Sequence, residues 1–297
     1  MHGWRDASPA RPLAPLPPGR YVAFAGIGRP ARFFDALQKQ PGIDLVEGAP
    51  YPDHHMFTPY DLKFLMKLAA ERDARLVTTD KDHVRLPADD VFLMADLQVP
   101  EESSSLIIFA YDFGRSRNHP RALHVARIMR EHGLSTLLCD LLTEDEEAED
   151  EVSQKYRHDA DLLARRLIAV TKWATTYADT KHLRIAYFGA STGGGAVMIA
   201  AAKMHKTVNA VVSRGGRLDL AMKSIPHVSC PTLLVVGEND TVGVELCHEA
   251  LVNLACRKEV RVIPGASHLF GEPGKLEAMA QLSAEWLHNQ LVEPEYP

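Results

Sequence analysis

The chain has 297 residues, 46% of them hydrophobic and 24% charged, which is ordinary for a soluble globular protein of one large domain or two. A net charge of −6, with no basic stripe interleaved with aromatics, argues against nucleic acid as a partner. No apolar run approaches a membrane span and the opening residues lack the apolar core of a secretion signal, so the expected compartment is the cytoplasm. The four cysteines, Cys139, Cys230, Cys247 and Cys256, show no paired metal spacing and read as free thiols.

Residues 1–20 carry Pro9, Pro12, Pro15, Pro17 and Pro18 and read as an extended, disordered lead-in. Residues 21–83 then alternate strand and helix. Tyr21–Ala25 is strand-like, and Pro30 opens a helix running to Lys39. Ile43–Val46 reads as a short strand. Thr58-Pro59-Tyr60-Asp61 caps a helix to about Arg72, with Leu62, Leu65, Leu68 and Ala69 on one face. Leu76–Thr79 is a third strand. This α/β unit is too short to be a complete enzyme.

Residues 84–297 form the second domain. His83–Asp90 reads either as the tail of the first unit or as the first strand of the second. Val91–Val99 and Leu106–Ala110 follow as strands, Pro120–Glu131 as a helix and Ser135–Asp140 as a strand. The acidic run Glu144–Glu151 is expected to be a solvated loop or helix start kept extended by repulsion. Asp159–Ala178 is a long amphipathic helix.

Ile185–Phe188 is a buried strand, and Gly194–Ala202 is a helix packed on a sheet. Between them lies Gly189-Ala190-Ser191-Thr192-Gly193. A G-x-S-x-G at a strand-to-helix turn is the pattern of a nucleophile elbow, which pushes the serine hydroxyl out above the sheet. Pro231–Val236 is a strand ending in the acidic turn Gly237-Glu238-Asn239-Asp240. Val260–Ile263 is another, ending in a loop with His268. Each of the three side chains therefore follows a strand's carboxyl end, where an open parallel sheet forms its ligand crevice.

That order of residue types is what acyl transfer requires. A serine hydroxyl becomes nucleophilic only when a neutral imidazole takes its proton, and a carboxylate orients the imidazole. Ser191 is assigned as nucleophile, His268 as general base and acid, and Asp240 as the orienting carboxylate. Plainer readings stand beside these. His268 is one of 14 histidines, an Asp after a strand is often a turn former or helix N-cap, and Glu238 is a competing acid.

Phe188-Gly-Ala-Ser-Thr-Gly193, Val236-Gly-Glu-Asn-Asp240 and Pro264-Gly-Ala-Ser-His-Leu-Phe270 resemble the α/β-hydrolase superfamily over residues 84–291, within it the dienelactone-hydrolase-like group. Ser213-Arg-Gly-Gly-Arg217 and Pro120-Arg121 add to the likeness. The resemblance implies an α/β-hydrolase fold, a mostly parallel central sheet with helices on both faces, that cleaves esters, lactones or related acyl compounds without a cofactor or metal. Similar proteins often carry His-Gly-x-Gly after the third strand; here Tyr111-Asp112-Phe113-Gly114 stands there. The backbone N–H groups of Thr192 and Phe113 can still form the oxyanion hole, although an Asp112 carboxylate turned towards it would repel the developing charge. Tyr111, Asp112, Arg214 and Arg217 are candidate substrate-binding residues. The two arginines would favour anionic esters, unless Arg217 simply pairs with Asp219.

Phe24-Ala-Gly-Ile-Gly-Arg-Pro30, Pro52-Asp-His-His55 and Val77-Thr-Thr-Asp-Lys-Asp82 resemble the carboxyl-terminal part of tetraacyldisaccharide 4'-kinase, the lipid A 4'-kinase, over residues 21–86. The P-loop spacing G-x-x-x-x-G-K-[ST] is absent, so phosphoryl transfer has no cradle in this sequence. Asp53-His54-His55 is also a poor metal site, since neighbours on a strand point to opposite faces. The function expected is a serine carboxylesterase acting on small-molecule, short-chain esters, with a non-catalytic scaffold of the same fold as its rival and a lipid A 4'-kinase relative a poorer one.

Overall fold

A computed structural model describes residues 16–26, 28–52, 59–77, 85–88, 91–111 and 116–291. The chain divides into two compact units, residues 1–83 and 84–297. Among the described residues, no helix is long and apolar enough to cross a membrane.

The first unit is a three-stranded parallel sheet of β1 (Gly19–Ala25), β2 (Ile43–Pro50) and β3 (Arg75–Val77), in the order β2-β1-β3, with helices α1 (Pro30–Gln38) and α2 (Pro59–Glu71). Tyr21 to Ala25 are all buried, as a central parallel strand must be. Phe24 and Leu65 form a small core with Ala49, Tyr51 and Leu76. β2 runs four residues past the expected end at Val46. The pairing with β1 skips a residue there and resumes at Val22↔Glu47, continuing to Ala25↔Pro50. A bulge and a neighbouring strand thus carry a Gly and a Pro that propensity alone would reject, and Pro is tolerated because β2 is an edge. The Asp53-His54-His55 motif lies outside the described residues.

The second unit is an eight-stranded sheet. Its strands are β4 (Arg85–Ala88), β5 (Val91–Gln98), β6 (Ser105–Ala110), β7 (Ser135–Cys139), β8 (Arg184–Ala190), β9 (Val208–Arg214), β10 (Thr232–Gly237) and β11 (Lys258–Ile263). Their order is β11-β10-β9-β8-β6-β7-β5-β4, parallel from β11 to β7, with β5 antiparallel to both β7 and β4. Within the ambiguous stretch before Val91, Arg85–Ala88 pairs with β5 in this sheet.

The central strands β6, β8, β9 and β10 are largely apolar, with their polar residues mostly at the strand ends, because both faces are covered. Alternate residues go to alternate cores. Leu106, Ile108, Ile185, Tyr187, Leu234 and Val236 face helices α5 (Ala160–Ala174), α6 (Thr192–Lys203) and α7 (Thr241–Asn253). Ile107, Phe109, Ala186, Phe188, Leu233 and Val235 face α3 (Pro120–Glu131) and α8 (Lys275–Leu291). Between β9 and β10 the chain makes only two short 3₁₀ turns, Leu218–Ala221 and Ile225–His227, with no long insertion.

The acidic run corrects the expectation of an extended segment: Glu144–Ser153 is a helix, α4. Thr143 Oγ1 accepts the Glu146 N–H (3.3 Å) and Glu146 Oε2 accepts the Thr143 N–H (2.8 Å), a reciprocal cap. Repulsion is relieved from elsewhere in the chain. Buried Arg166 on α5 grips both Glu146 oxygens and the Leu141 carbonyl, and Arg157 binds Asp150 through Nε at 2.5 Å. Burial works to raise the Glu146 and Asp150 carboxyls, but the hydrogen bonds and charges of Arg166 and Arg157 outweigh it and hold both below the ordinary range. A depressed folded-state value stabilises above the unfolded carboxylate range and is lost as pH falls through the folded one. Arg166→Met is therefore expected to cost about 3 kcal/mol in urea unfolding at neutral pH. The difference from wild type should shrink as pH drops below the carboxylate range.

Candidate active site

Ser191 sits between β8 and α6 with φ 52° and ψ −123°, a conformation that L residues avoid. The turn is this tight because its neighbours lack side chains. A Cβ on Gly189 would lie 2.4 Å from the Gly193 carbonyl oxygen, and one on Gly193 would lie 2.1 Å from that of Ala110. Gly193→Ala is accordingly expected to lower the unfolding temperature and remove activity, because both atoms it would meet first at Ala110 are backbone.

Ser191 caps α6 by position, yet its side chain makes no capping hydrogen bond. Its main chain is fixed instead. The Ser191 N–H donates to Arg214 O (3.2 Å), and Ser191 O accepts from the N–H groups of Gly194 and Arg217 (both 2.9 Å). The Thr192 N–H is the first of the helix, one of the donors that no intrahelical carbonyl reaches, and the helix dipole adds positive potential there. Ser213, part of the family likeness but given no role by the sequence, donates from Oγ to Gly194 O (3.2 Å) and ties β9 to this first turn.

Asp240 follows β10 and combines the two roles that the sequence left as alternatives. Oδ1 accepts the Gly243 N–H (3.1 Å) and so caps α7, while Oδ2 lies 2.7 Å from His268 Nδ1. A carboxylate only accepts, so Nδ1 carries the proton and Nε2 of the neutral ring is left as acceptor. The carboxylate is 11% exposed and the imidazole 42%. Glu238, the competing acid, is occupied elsewhere: its Oε2 accepts the Gly265 N–H (2.7 Å).

Ser191 and His268 both meet Arg214, the last residue of β9, and His268 also lies against Gly215. Ser191 is bonded to Arg214 O; Arg214 Nη1 reaches His268 O (3.4 Å), and a Cβ on Gly215 would lie 3.2 Å from His268 Cε1. No hydrogen bond joins Ser191 Oγ to His268 among the described residues. Such bonds are often long in the resting site and tighten when substrate is bound.

The remaining candidates are placed as follows. Asp112 and Phe113 lie outside the described residues. Tyr111 is buried, its ring centroid 6.2 Å from those of both Phe109 and Phe188. Arg217 makes the bidentate pair with Asp219 (Nε 2.9 Å, Nη2 2.7 Å), whose hydrogen bonds hold the Asp219 carboxyl below the usual range. Arg214 is buried rather than lying open at the rim, which no local sequence signal announces. Among the described residues, no group of three or more His, Cys, Asp or Glu could hold a metal.

Comparison with known proteins agrees with this architecture. Residues 95–292 match the dienelactone hydrolase family, and residues 5–107 match tetraacyldisaccharide-1-P 4'-kinase, so the two similarities overlap over residues 95–107, from the middle of β5 to the middle of β6. The crystal structure of a dienelactone hydrolase from Anabaena variabilis is 47% identical, covers 70% of this chain and 96% of its own, and superposes with a TM-score of 0.68. Est1E from Butyrivibrio proteoclasticus, 17% identical with a TM-score of 0.58 over 70% of this chain and 98% of its own, shares the fold. A putative phosphoribosyl transferase of Mycobacterium tuberculosis is 44% identical over 213 residues, 72% of this chain but 47% of its own. The tetraacyldisaccharide 4'-kinase of Maricaulis maris is 56% identical over 89 residues, 30% of this chain and 24% of its own. The chain thus spans about half the length of the mycobacterial relative and about a quarter of the kinase. With the hydrolase match covering more than half of its residues, the chain belongs to the dienelactone hydrolase family and carries an α/β-hydrolase fold behind a kinase-like first unit.

Proposed function

We propose that the second unit is a serine hydrolase that cleaves carboxylic esters, with short acyl groups preferred. Ser191 Oγ attacks the ester carbonyl as His268 Nε2 takes its proton. The oxyanion is held by the N–H of Thr192 and that of Phe113. Collapse expels the alcohol, which leaves with the proton from His268, and an acyl group stays on Ser191. Water then attacks the acyl carbon, giving its proton to His268, and the acid departs as Ser191 Oγ is reprotonated.

The observation that carries this reading is the 2.7 Å contact of His268 with Asp240, which sets the proton on Nδ1 and leaves Nε2 basic. Short chains are favoured by the two brief 3₁₀ turns where a lid insertion would sit. The phosphoribosyl transferase name belongs to a protein of which the shared region is 47%, and is not carried over. Turnover of p-nitrophenyl esters of rising acyl length, wild type beside Ser191→Ala, tests the proposal. Activity falling with chain length and lost in the variant supports it; equal rates for both proteins end it.

A further inference from the structure

We propose that Arg214 is a positioning residue that clamps the His268 loop to the elbow, setting the imidazole at the distance from Ser191 that proton transfer needs. The inference rests on the serine-hydrolase reading above.

Arg214 is fixed to the nucleophile through its backbone. It pairs with Ala190 in the β8–β9 ladder and with Val235 in β10, and its carbonyl accepts the Ser191 N–H. It touches the base loop through its side chain. The guanidinium donates from Nη1 to His268 O (3.4 Å), and its Cζ stands 5.2 Å from the ring centroid of Phe270. Phe270 is 1% exposed and held at φ 54°, a left-handed turn that its surroundings must enforce. One guanidinium therefore engages both ends of His268-Leu269-Phe270.

Asp240 grips the imidazole ring, but a ring can pivot with its main chain. Arg214 supplies the second handle, on that main chain. Arg121 Nη1 also reaches the loop, at Leu269 O (3.3 Å), from an exposed position where water competes. Arg214 is 4% exposed, so its contacts are made in a drier medium and count for more. A buried guanidinium is costly without hydrogen bonds, and the His268 carbonyl and the Phe270 π-face offset that cost. Lysine can replace the charge but not a planar group that stacks on a ring while donating in its own plane.

Fluorophosphonate inactivation tests this without knowledge of the natural substrate. The maximal labelling rate kinact and the half-saturation constant KI would be measured for wild type, Arg214→Lys, Arg214→Met and Phe270→Leu, alongside thermal unfolding. Labelling of wild type at Ser191 tests the hydrolase reading by itself, and a wild-type protein that never labels removes that reading. For both Arg214 variants kinact is expected to fall by about 10- to 100-fold with KI unchanged, since a displacement of 1 Å at a reacting group costs on the order of 100-fold. Phe270→Leu should show a smaller fall of the same kind. Wild-type kinact in the Arg214 variants, even with a lowered unfolding temperature, reduces the residue to packing and overturns the proposal. A raised KI with unchanged kinact overturns it too, by making Arg214 a ligand contact. Should neither Arg214 variant fold, Phe270→Leu decides: a lowered kinact supports the clamp and an unchanged one refutes it.

Discussion

Ser191→Ala is expected to lower kcat for ester hydrolysis by a factor on the order of 10⁵ to 10⁶ and to abolish fluorophosphonate labelling. The neighbouring Thr192 is buried on the first turn of α6, and water in place of the Ser191 hydroxyl lacks the orientation of a covalently held nucleophile. The fold should be unharmed, because Ser191 Oγ makes no capping bond to lose. Stability and activity should even separate in sign. At φ 52° and ψ −123° an L side chain is strained, so Ser191→Gly is expected to keep or gain about 1 kcal/mol in urea unfolding while remaining inactive. A Ser191→Gly protein less stable than wild type would show that the strain is not local to this residue. Retained turnover by Ser191→Ala would place the nucleophile elsewhere.

Asp240→Asn is expected to cost about 10⁴ in kcat with little change in unfolding temperature. The activity argument rests on the tautomer. A carboxylate oxygen accepts only from Nδ1–H, leaving Nε2 free to take the serine proton. An amide can instead donate to Nδ1, and the ring then carries its proton on the wrong nitrogen. The stability argument rests on the second oxygen, which caps α7 through the Gly243 N–H. Asn is nearly as good an N-cap as Asp, so this variant isolates the catalytic role. Asp240→Ala removes both functions and should lose about 1 kcal/mol in addition to activity. Glu238→Gln, tied to Gly265 rather than to His268, should retain near wild-type kcat. Loss of activity there to the level of Asp240→Asn would mean that the carboxylate assignment is mistaken.

Local rules made much of this legible. Pro120 at the first position of α3 and the apolar spacing through Met129 gave that helix its bounds, Pro120–Glu131, because a helix start is governed by its own residues. The elbow was legible for the same reason: glycines flanking a serine answer a steric demand within one turn. Burial was less so. Tyr111 looks like a rim residue from its place after β6, but it packs against both Phe109 and Phe188, and only the pairing of those strands makes that a core position.

By itself the sequence determined the β–α alternation, the tight turn at Ser191, and the placement of Asp240 and His268 past the ends of strands, all of which follow from steric and apolar patterns over a few residues. Only the tertiary structure decided what lies across the chain. It turned the acidic run into helix α4, because Arg166 supplies the countercharge from 20 residues away. It gave the two oxygens of Asp240 separate duties, and it buried Arg214 against a loop 54 residues further on. Charge compensation and convergence between distant segments depend on distances in space, and separation along the chain does not encode them.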